Sequence, residues 1–174
     1  MLREFAALID AKMQEEKQTG KIPKIPKYGS CQNGLNQFLT PWGYACKISL
    51  GSGNLSKKPS IAFCRQDILE EGFVNGEKPT PTKGFYLWFA YYWCNDFEKF
   101  YLCIGRSIEE NGEEECQKCL AYDKIVIENA CYQKLYDDLE SHLENITNDF
   151  LRFANEFSQI PTAYFELEPS SASH

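Results

Sequence analysis

Apolar residues recur every three or four positions in two long segments of the chain. Within residues 2–18 this spacing places one apolar stripe along a helix, which the glycine at position 20 ends. Residues 132–157 have the same spacing, with leucine or phenylalanine at most apolar positions. They predict a long amphipathic helix that covers a sheet.

Alternation of apolar and polar side chains predicts a β-strand at residues 44–50, and residues 60–64 form a second short strand-like run. The glycines and asparagine of residues 51–54 predict a turn whose backbone can approach another surface closely. Two further β-like runs, residues 84–94 and 99–105, predict a hairpin. The pattern therefore predicts an α+β fold: a mixed or antiparallel central sheet with a Gly-aromatic hairpin, packed by an N-terminal helix and a long C-terminal amphipathic helix.

The segments between these elements show no sustained period. Residues 19–28 hold two prolines between lysines and predict a basic, non-helical arm. Residues 65–83 predict a long loop and residues 109–115 an acidic turn, whereas the stretch that follows is ambiguous between helix and irregular structure. We expect a single domain over residues 1–165, with residues 166–174 as a linker or tail.

Composition excludes a disordered chain, since 43% of the 174 residues are hydrophobic and 14% are aromatic. No run approaches the roughly 20 apolar residues that a membrane span needs, so no membrane association is expected. Half of the eight cysteines lie in or beside apolar, strand-like runs, which favours reduced cysteines and a cytoplasmic location. These cysteines are Cys46, Cys64, Cys94 and Cys103.

Charge is sorted along the chain, although the net charge of -7 by itself argues against a nucleic-acid partner. Residues 17–65 contain eight basic residues and no acidic one, so all 25 acidic residues lie elsewhere. A solvated, lysine-rich loop is the simplest explanation of such a run. The length of the acid-free segment favours instead one positive face that binds a polyanion.

The sequence offers little for self-contained catalysis. Its histidines are His142, within the predicted C-terminal helix, and His174, the final residue, so a His-centred triad lacks partners. No phosphate-binding loop and no HExxH motif is present. Asp96, Glu98 and Lys99 resemble the acidic cluster of metal-dependent nucleases, but within one hairpin turn a solubilising role is favoured.

A single CxxC motif, Cys116 to Cys119, supplies half of a tetrahedral zinc site if Cys131 and another cysteine complete it. A second CxxC is missing, so incidental cysteines are the favoured interpretation. We therefore predict neither a metal nor another cofactor.

The strand at residues 84–94 is unusually rich in aromatic residues. One set of alternate side chains in such a strand packs into the core, so about half of them need no further role. By parity Tyr86, Trp88 and Tyr92 share one face. Such a face can stack an extruded base or a single-stranded one.

Four segments follow one another in a recognisable order: a strand ending in a GxGN turn, a strand preceded by proline, a Gly-aromatic strand and a closing Gly-x-Ser. They are KISLGSGN at 47–54, PSIAF at 59–63, GFY at 84–86 and YLCIGRS at 101–107. In this order and spacing, residues 44–107 resemble the N-terminal DNA-recognition domain of the McrB family, the specificity subunit of modification-dependent restriction systems. Residues 139–157 are similar to the helix that follows in that family.

The resemblance implies a recognition domain without enzymatic activity of its own. It would bind double-stranded DNA and flip a modified base, expected to be a modified cytosine, into an aromatic pocket. GTP hydrolysis and cleavage would belong to a C-terminal AAA+ motor and to a separate nuclease subunit.

The resemblance and the basic segment together assign two sets of site residues. Tyr86 matches a pocket tyrosine of the family, whereas Ser52, Ser60 and Ala90 stand where the family has an aromatic, a tryptophan and an aliphatic residue. The pocket is therefore rebuilt from other aromatic residues, holds a larger modified base, or does not exist. Contacts to the DNA backbone are assigned to Lys47, Ser49, Gly51, Ser52, Gly53, Asn54, Lys57, Lys58 and Lys83. The base pocket is assigned to Ser60, Tyr86, Trp88, Ala90, Trp42 and Tyr122.

Three other functions fit the same sequence less well. A reader of RNA or single-stranded nucleic acid would use the same basic face and aromatic residues. A protein-interaction scaffold would bind no nucleic acid, and a hidden metal nuclease would cleave DNA only with a divalent ion.

Overall fold

The structure is a computed structural model, and it describes residues 2–94, 97–128 and 132–167. Five strands and four helices of eight residues or more account for most of these residues, together with one short helix and several single turns. The helices are α1 Leu2–Thr19, α2 Gly29–Leu39, α3 Glu110–Gln117, the short α4 Leu120–Tyr122 and α5 Leu139–Gln159. The strands are β1 Tyr44–Ser49, β2 Ser60–Arg65, β3 Phe85–Cys94, β4 Phe97–Arg106 and β5 Gln133–Tyr136.

The five strands form one antiparallel sheet in the order β1-β2-β3-β4-β5. Each strand pairs with its neighbour in the chain, so the sheet is a meander whose centre is the β3–β4 hairpin. The predicted α+β fold, with a central sheet packed by an N-terminal and a C-terminal helix, is confirmed. Of the two arrangements that the pattern allowed, the sheet adopts the purely antiparallel one.

Helices cover one face of the sheet. The odd-numbered residues of β3 from Phe85 to Tyr91 enter the main hydrophobic core, where the ring of Phe89 meets Phe5 of α1. Phe150 of α5 packs edge to face on Phe63 of β2 in the same core, with 4.9 Å between the ring centroids. The apolar stripes of α1 and α5 are buried here, and the opposite face of the sheet receives no long helix in the described part of the chain.

An unpredicted helix, α2, protects the free edge of β1. Its apolar residues Cys31, Leu35 and Leu39 lie four positions apart and are buried. The Gln32 side-chain oxygen accepts from the backbone N–H of Ile48 at 3.0 Å, and Asn36 pairs with the backbone of Cys46 in the same way. These side chains take the place of a sixth strand, so the edge is not open to another chain.

Two local predictions are wrong. Residues 109–115, predicted as a turn, belong largely to α3, because Gly112 packs so closely on Ser107 and Thr82 that no side chain would fit. Residues 133–136, predicted as the start of the long helix, form β5, and α5 begins only after Asp138, whose carboxylate accepts from the Ser141 N–H. The turn of the β3–β4 hairpin at residues 95–96 lies outside the described residues.

None of the helices in the described ranges is both long and apolar enough to cross a membrane.

Candidate nucleic-acid interface

The face of the sheet opposite the long helices carries several of the predicted site residues. Its side chains line up in rows across the strands, because paired residues point to the same side. One row runs Lys47, Ala62, Trp88, Cys103, Gln133 from β1 to β5. The next row runs Ser49, Ser60, Ala90, Tyr101, Leu135.

A groove of about 840 Å³ lies over these rows. Clefts of this size, about 300–1,000 Å³, are typical of small-ligand sites. Ser60, Tyr86 and Trp88 of the predicted base pocket line it, as do Ser49 and Lys58 of the predicted backbone-binding set. Beyond the C-terminal end of β4 the groove continues along Arg106, Ile108, Glu109, Ile125 and Val126.

Lys58 occupies the centre of the aromatic part of the groove. Its Nζ lies 4.8 Å from the Trp88 ring centroid and 4.5 Å from that of Tyr92, within cation–π range of both. Ala90 separates the two rings along β3 and is fully buried, and Tyr101 packs edge to face on Trp88 at 5.8 Å. We call the space between the Trp88 and Tyr92 rings, above Ala90, the aromatic slot.

Tyr86 forms part of the floor at one end of the groove. Its hydroxyl donates to the carbonyl oxygen of Pro81 at 2.9 Å, and Arg106 O lies at 3.2 Å. Burial raises the pKa of Tyr86, so the phenol keeps its proton. The ring packs with Ala62 and Cys64 in a small second core beneath the groove. Tyr86 therefore supports the groove, and its hydroxyl is already engaged.

The basic arm and the GxGN turn lie side by side. Leu55 N–H donates to Pro23 O at 2.9 Å, and Lys24 forms a β-bridge with Asn54. Gly51 has a positive φ, and a side chain there would collide with the Asn54 carbonyl, so glycine is required. Four lysines on or beside this surface are exposed, and no ion pair within the described residues involves them: Lys21, Lys24, Lys27 and Lys47.

Two other predicted backbone contacts point elsewhere. Lys57 forms an ion pair with Glu16 of α1 at 2.8 Å, so it faces away from the neighbouring Lys58. Lys83 lines a second cleft of about 650 Å³, whose lining includes four glutamates. Those carboxylates repel phosphates, so this cleft is a poor place for a DNA backbone.

Two of the remaining pocket candidates, Trp42 and Tyr122, are not brought to the groove. Trp42 is 69% exposed in the turn after α2, and it is not among the groove-lining residues of the described chain. Tyr122 stacks on the Arg106 guanidinium at 5.4 Å and packs against the main core. Ala90 lies beneath the aromatic slot, and its only contribution is that its small side chain does not fill the slot.

The CxxC cysteines serve as donors in the core. Cys116 Sγ donates to Gly84 O and Cys119 Sγ to Glu115 O, and burial raises their pKa values to about 12 and about 11. Both thiols are therefore protonated at neutral pH. Among the described residues no three His, Cys, Asp or Glu side chains gather as metal ligands, and Cys131 lies outside those residues.

The weaker catalytic candidates are dispersed. His142 lies on α5 beside the Tyr136 ring, and His174 lies outside the described residues. Lys99 pairs with Asp137 at 2.8 Å, and Asp96 belongs to the turn that the structure does not describe. The nuclease-like cluster of the sequence therefore has no described geometry to support it.

Sequence reasoning missed several residues that line the groove. Parity groups Tyr92 with Tyr86 and Trp88, but the predicted pocket omits Tyr92, Tyr101 and Gln133, all of which line the groove. The alternation of β4 places Tyr101 on the same face, which the hairpin register would have revealed. The helix predicted over residues 132–157 gives no indication of Gln133, which lies in β5 and lines the groove.

Comparisons of the chain with protein-family models, with curated proteins and with solved structures gave no significant match. The resemblance to the McrB recognition domain therefore stays a prediction that rests on the residues quoted for it.

Proposed function

We propose that this chain is a DNA-recognition domain that reads a modified base, extruded from the duplex, in the groove on the open face of its sheet. The observation that carries the proposal is the aromatic slot beside an exposed basic surface. Trp88, Tyr92 and Tyr101 are aromatic residues on a face that no long helix covers in the described part of the chain. Bases stack on such rings, and each stack contributes about 1–3 kcal/mol.

The basic surface supports the same function. The arm and the GxGN turn present backbone and lysines at the β1–β2 end of the sheet, next to the start of β2 where Lys58 and Ser60 enter the groove. Phosphate contacts at this end would position the duplex, and the groove would specify the base. The acidic cleft at the other end would repel DNA and so fix the orientation of the complex.

The wider biological setting is part of the proposal. As an McrB-like specificity domain the chain would act in the cytoplasm and direct restriction of modified DNA. Cleavage and GTP hydrolysis would be supplied by an AAA+ motor and a separate nuclease, with no enzymatic activity, metal or cofactor in this domain.

The test is fluorescence-anisotropy binding to matched duplexes at two salt concentrations. The duplexes carry cytosine, 5-methylcytosine, 5-hydroxymethylcytosine, glucosylated hydroxymethylcytosine or N6-methyladenine at one position. We expect one modified duplex to bind at least about 10-fold more tightly than the unmodified one, and Trp88→Ala to abolish that preference. Trp42→Ala is the matched control, since it removes an exposed tryptophan outside the groove.

Equal, salt-sensitive binding to all five duplexes would contradict the reader function and leave a domain that only tethers DNA. No binding to any duplex would contradict both the reader function and a role in tethering DNA.

A reader of single-stranded nucleic acid is the second candidate. The observation that favours it is the placement of Trp88 and Tyr92 along one strand, with Tyr101 on the next, which is a stacking platform for successive unpaired bases. Competition between a single-stranded oligonucleotide and the preferred duplex separates the two functions. Stronger competition by the single strand would favour this candidate.

A further inference from the structure

The aromatic slot already contains a cation that belongs to the protein. The Lys58 ammonium lies between the Trp88 and Tyr92 rings, at 4.8 and 4.5 Å from their centroids. No ion pair or hydrogen bond of its side chain to another described residue holds it there. Its neighbours differ in this respect, because Lys57 pairs with Glu16 and Lys99 pairs with Asp137.

The slot has room for one planar ring at most. A base in van der Waals contact with two flanking rings needs roughly 7–8 Å between them, twice the optimal separation of carbon atoms. The Lys58 Nζ lies 4.8 and 4.5 Å from the two centroids, so the centroids are at most about 9 Å apart and no more than one planar ring fits between them. Ala90, which lies between the two ring-bearing positions of β3, is fully buried and carries only a methyl group. A base and the ammonium therefore compete for one position.

We propose that Lys58 occupies the base position in the free protein, and that an entering base displaces its ammonium onto a phosphate next to that base. This inference rests on the proposed function. Lysine has a long, flexible stem and a strongly hydrated charge, so it leaves a partly exposed cation–π site readily. A phosphate compensates the ammonium for the lost ring contacts, whereas a base without a neighbouring charge does not.

Lys58 is accordingly a positioning residue that couples entry of the base to the charge of the backbone. An ordinary phosphate-binding lysine would contribute affinity to every probe in the same direction. A lysine that also blocks the slot would contribute affinity when the adjacent phosphates are charged and would reduce it when they are neutral. This change of sign distinguishes the two roles.

The experiment uses a DNA duplex with a single bulged 2-aminopurine, whose fluorescence falls when the base stacks on aromatic rings. Two versions are compared, one with ordinary phosphates and one with neutral methylphosphonates on both sides of the bulge. Binding is measured by anisotropy, and stacking by 2-aminopurine fluorescence. The proteins are the unaltered chain, Lys58→Ala and, as the matched control for loss of one charge, Lys57→Ala.

With ordinary phosphates we expect Lys58→Ala to bind about 3- to 10-fold more weakly, because one phosphate contact is lost. With methylphosphonates we expect it to bind about 2- to 5-fold more tightly than the unaltered chain, because the slot is empty. Lys57→Ala should change both affinities in the same direction by a similar, small factor.

Weaker or unchanged binding of Lys58→Ala to the methylphosphonate duplex would overturn the inference. If 2-aminopurine is still quenched in that case, the proposed reader function survives. Salt-sensitive binding without quenching in any protein would overturn both the inference and the base-reading groove. Absence of binding to either duplex would overturn the proposed function as a whole.

Discussion

Two cationic side chains lie at opposite ends of β2, and each contacts two aromatic rings. Lys58 precedes β2 on the open face, whereas Arg65 ends β2 on the face that the helices cover. The Arg65 guanidinium lies 5.5 Å from the Phe157 ring and 5.2 Å from the Phe165 ring, and its side chain is only 4% exposed.

The hydrogen bonds of the two side chains differ completely. Arg65 donates to the carbonyl oxygens of Phe157 and Ile160 at the end of α5, at 2.7 and 2.6 Å, and makes a bidentate pair with Asp67. It ties the last turn of α5 to the sheet and satisfies carbonyls that a helix end leaves unpaired. Within the described ranges the Lys58 side chain has no hydrogen bond or ion pair, and it contacts its two rings. The same arrangement of charge and rings is thus structural where its donors are used and available for a ligand where they are not.

The largest effect is expected from Arg65→Met. It leaves the Ile160 carbonyl without its Arg65 donor, and it leaves the Phe157 carbonyl with only the backbone N–H of Ile160. The Asp67 carboxylate also loses its guanidinium partner, so the free energy of unfolding should fall by about 3 kcal/mol. Urea denaturation followed by circular dichroism measures this loss. Lys58→Met is the control, with an expected loss below about 1 kcal/mol. Equal losses in the two variants would remove the distinction between the two cations.

Tyr92→Ala should act mainly on binding. It removes one wall of the aromatic slot, and the expected loss of binding free energy for the preferred duplex is about 1–2 kcal/mol. Tyr92→Phe keeps the ring and should bind like the unaltered chain. The measurement is the anisotropy titration described above, with urea denaturation to show that both variants remain folded. Unchanged binding by Tyr92→Ala would place the stacking site elsewhere.

Tyr86→Phe should act mainly on stability. It removes the hydroxyl that donates to Pro81 O, so the free energy of unfolding should fall by about 1 kcal/mol while base preference is retained. Urea denaturation and the five-duplex titration are made on the same preparation. Loss of base preference at full stability would instead make the Tyr86 hydroxyl a direct contact to the base.

The smallest effect is expected from Lys57→Ala. Its ion pair with Glu16 joins two partly exposed side chains on the side of α1, and such pairs contribute at most about 1 kcal/mol. The free energy of unfolding should change by about 0.5 kcal/mol or less, and base preference should not change. A clear loss of preference would show that Lys57, and not Lys58 alone, serves the groove.

The local sequence pattern was sufficient for most of the secondary structure. The apolar stripes of α1 and α5 and the alternation in β1 and β3 each report a single buried face, and that information is contained in neighbouring residues. The same parity placed Trp88 and Tyr92 together on one face. The basic, acid-free segment likewise indicated the arm and turn that the structure brings side by side.

Where the local sequence pattern predicted the wrong element or none, contacts with distant residues determined the structure. The segment of α2 is rich in glycine and asparagine and is a weak helix former, and it is held by packing and by its bonds to the edge of β1. The four residues of β5 continue the helical spacing of α5 but pair with β4 instead.

The sequence by itself determined which side chains share a face of the sheet, because alternation along a strand is a local property of the backbone. It did not determine which face the helices cover, nor that Lys58 turns towards Trp88 while Lys57 turns towards Glu16. Those choices depend on contacts between residues far apart in the chain, and only the packed tertiary structure brings them together.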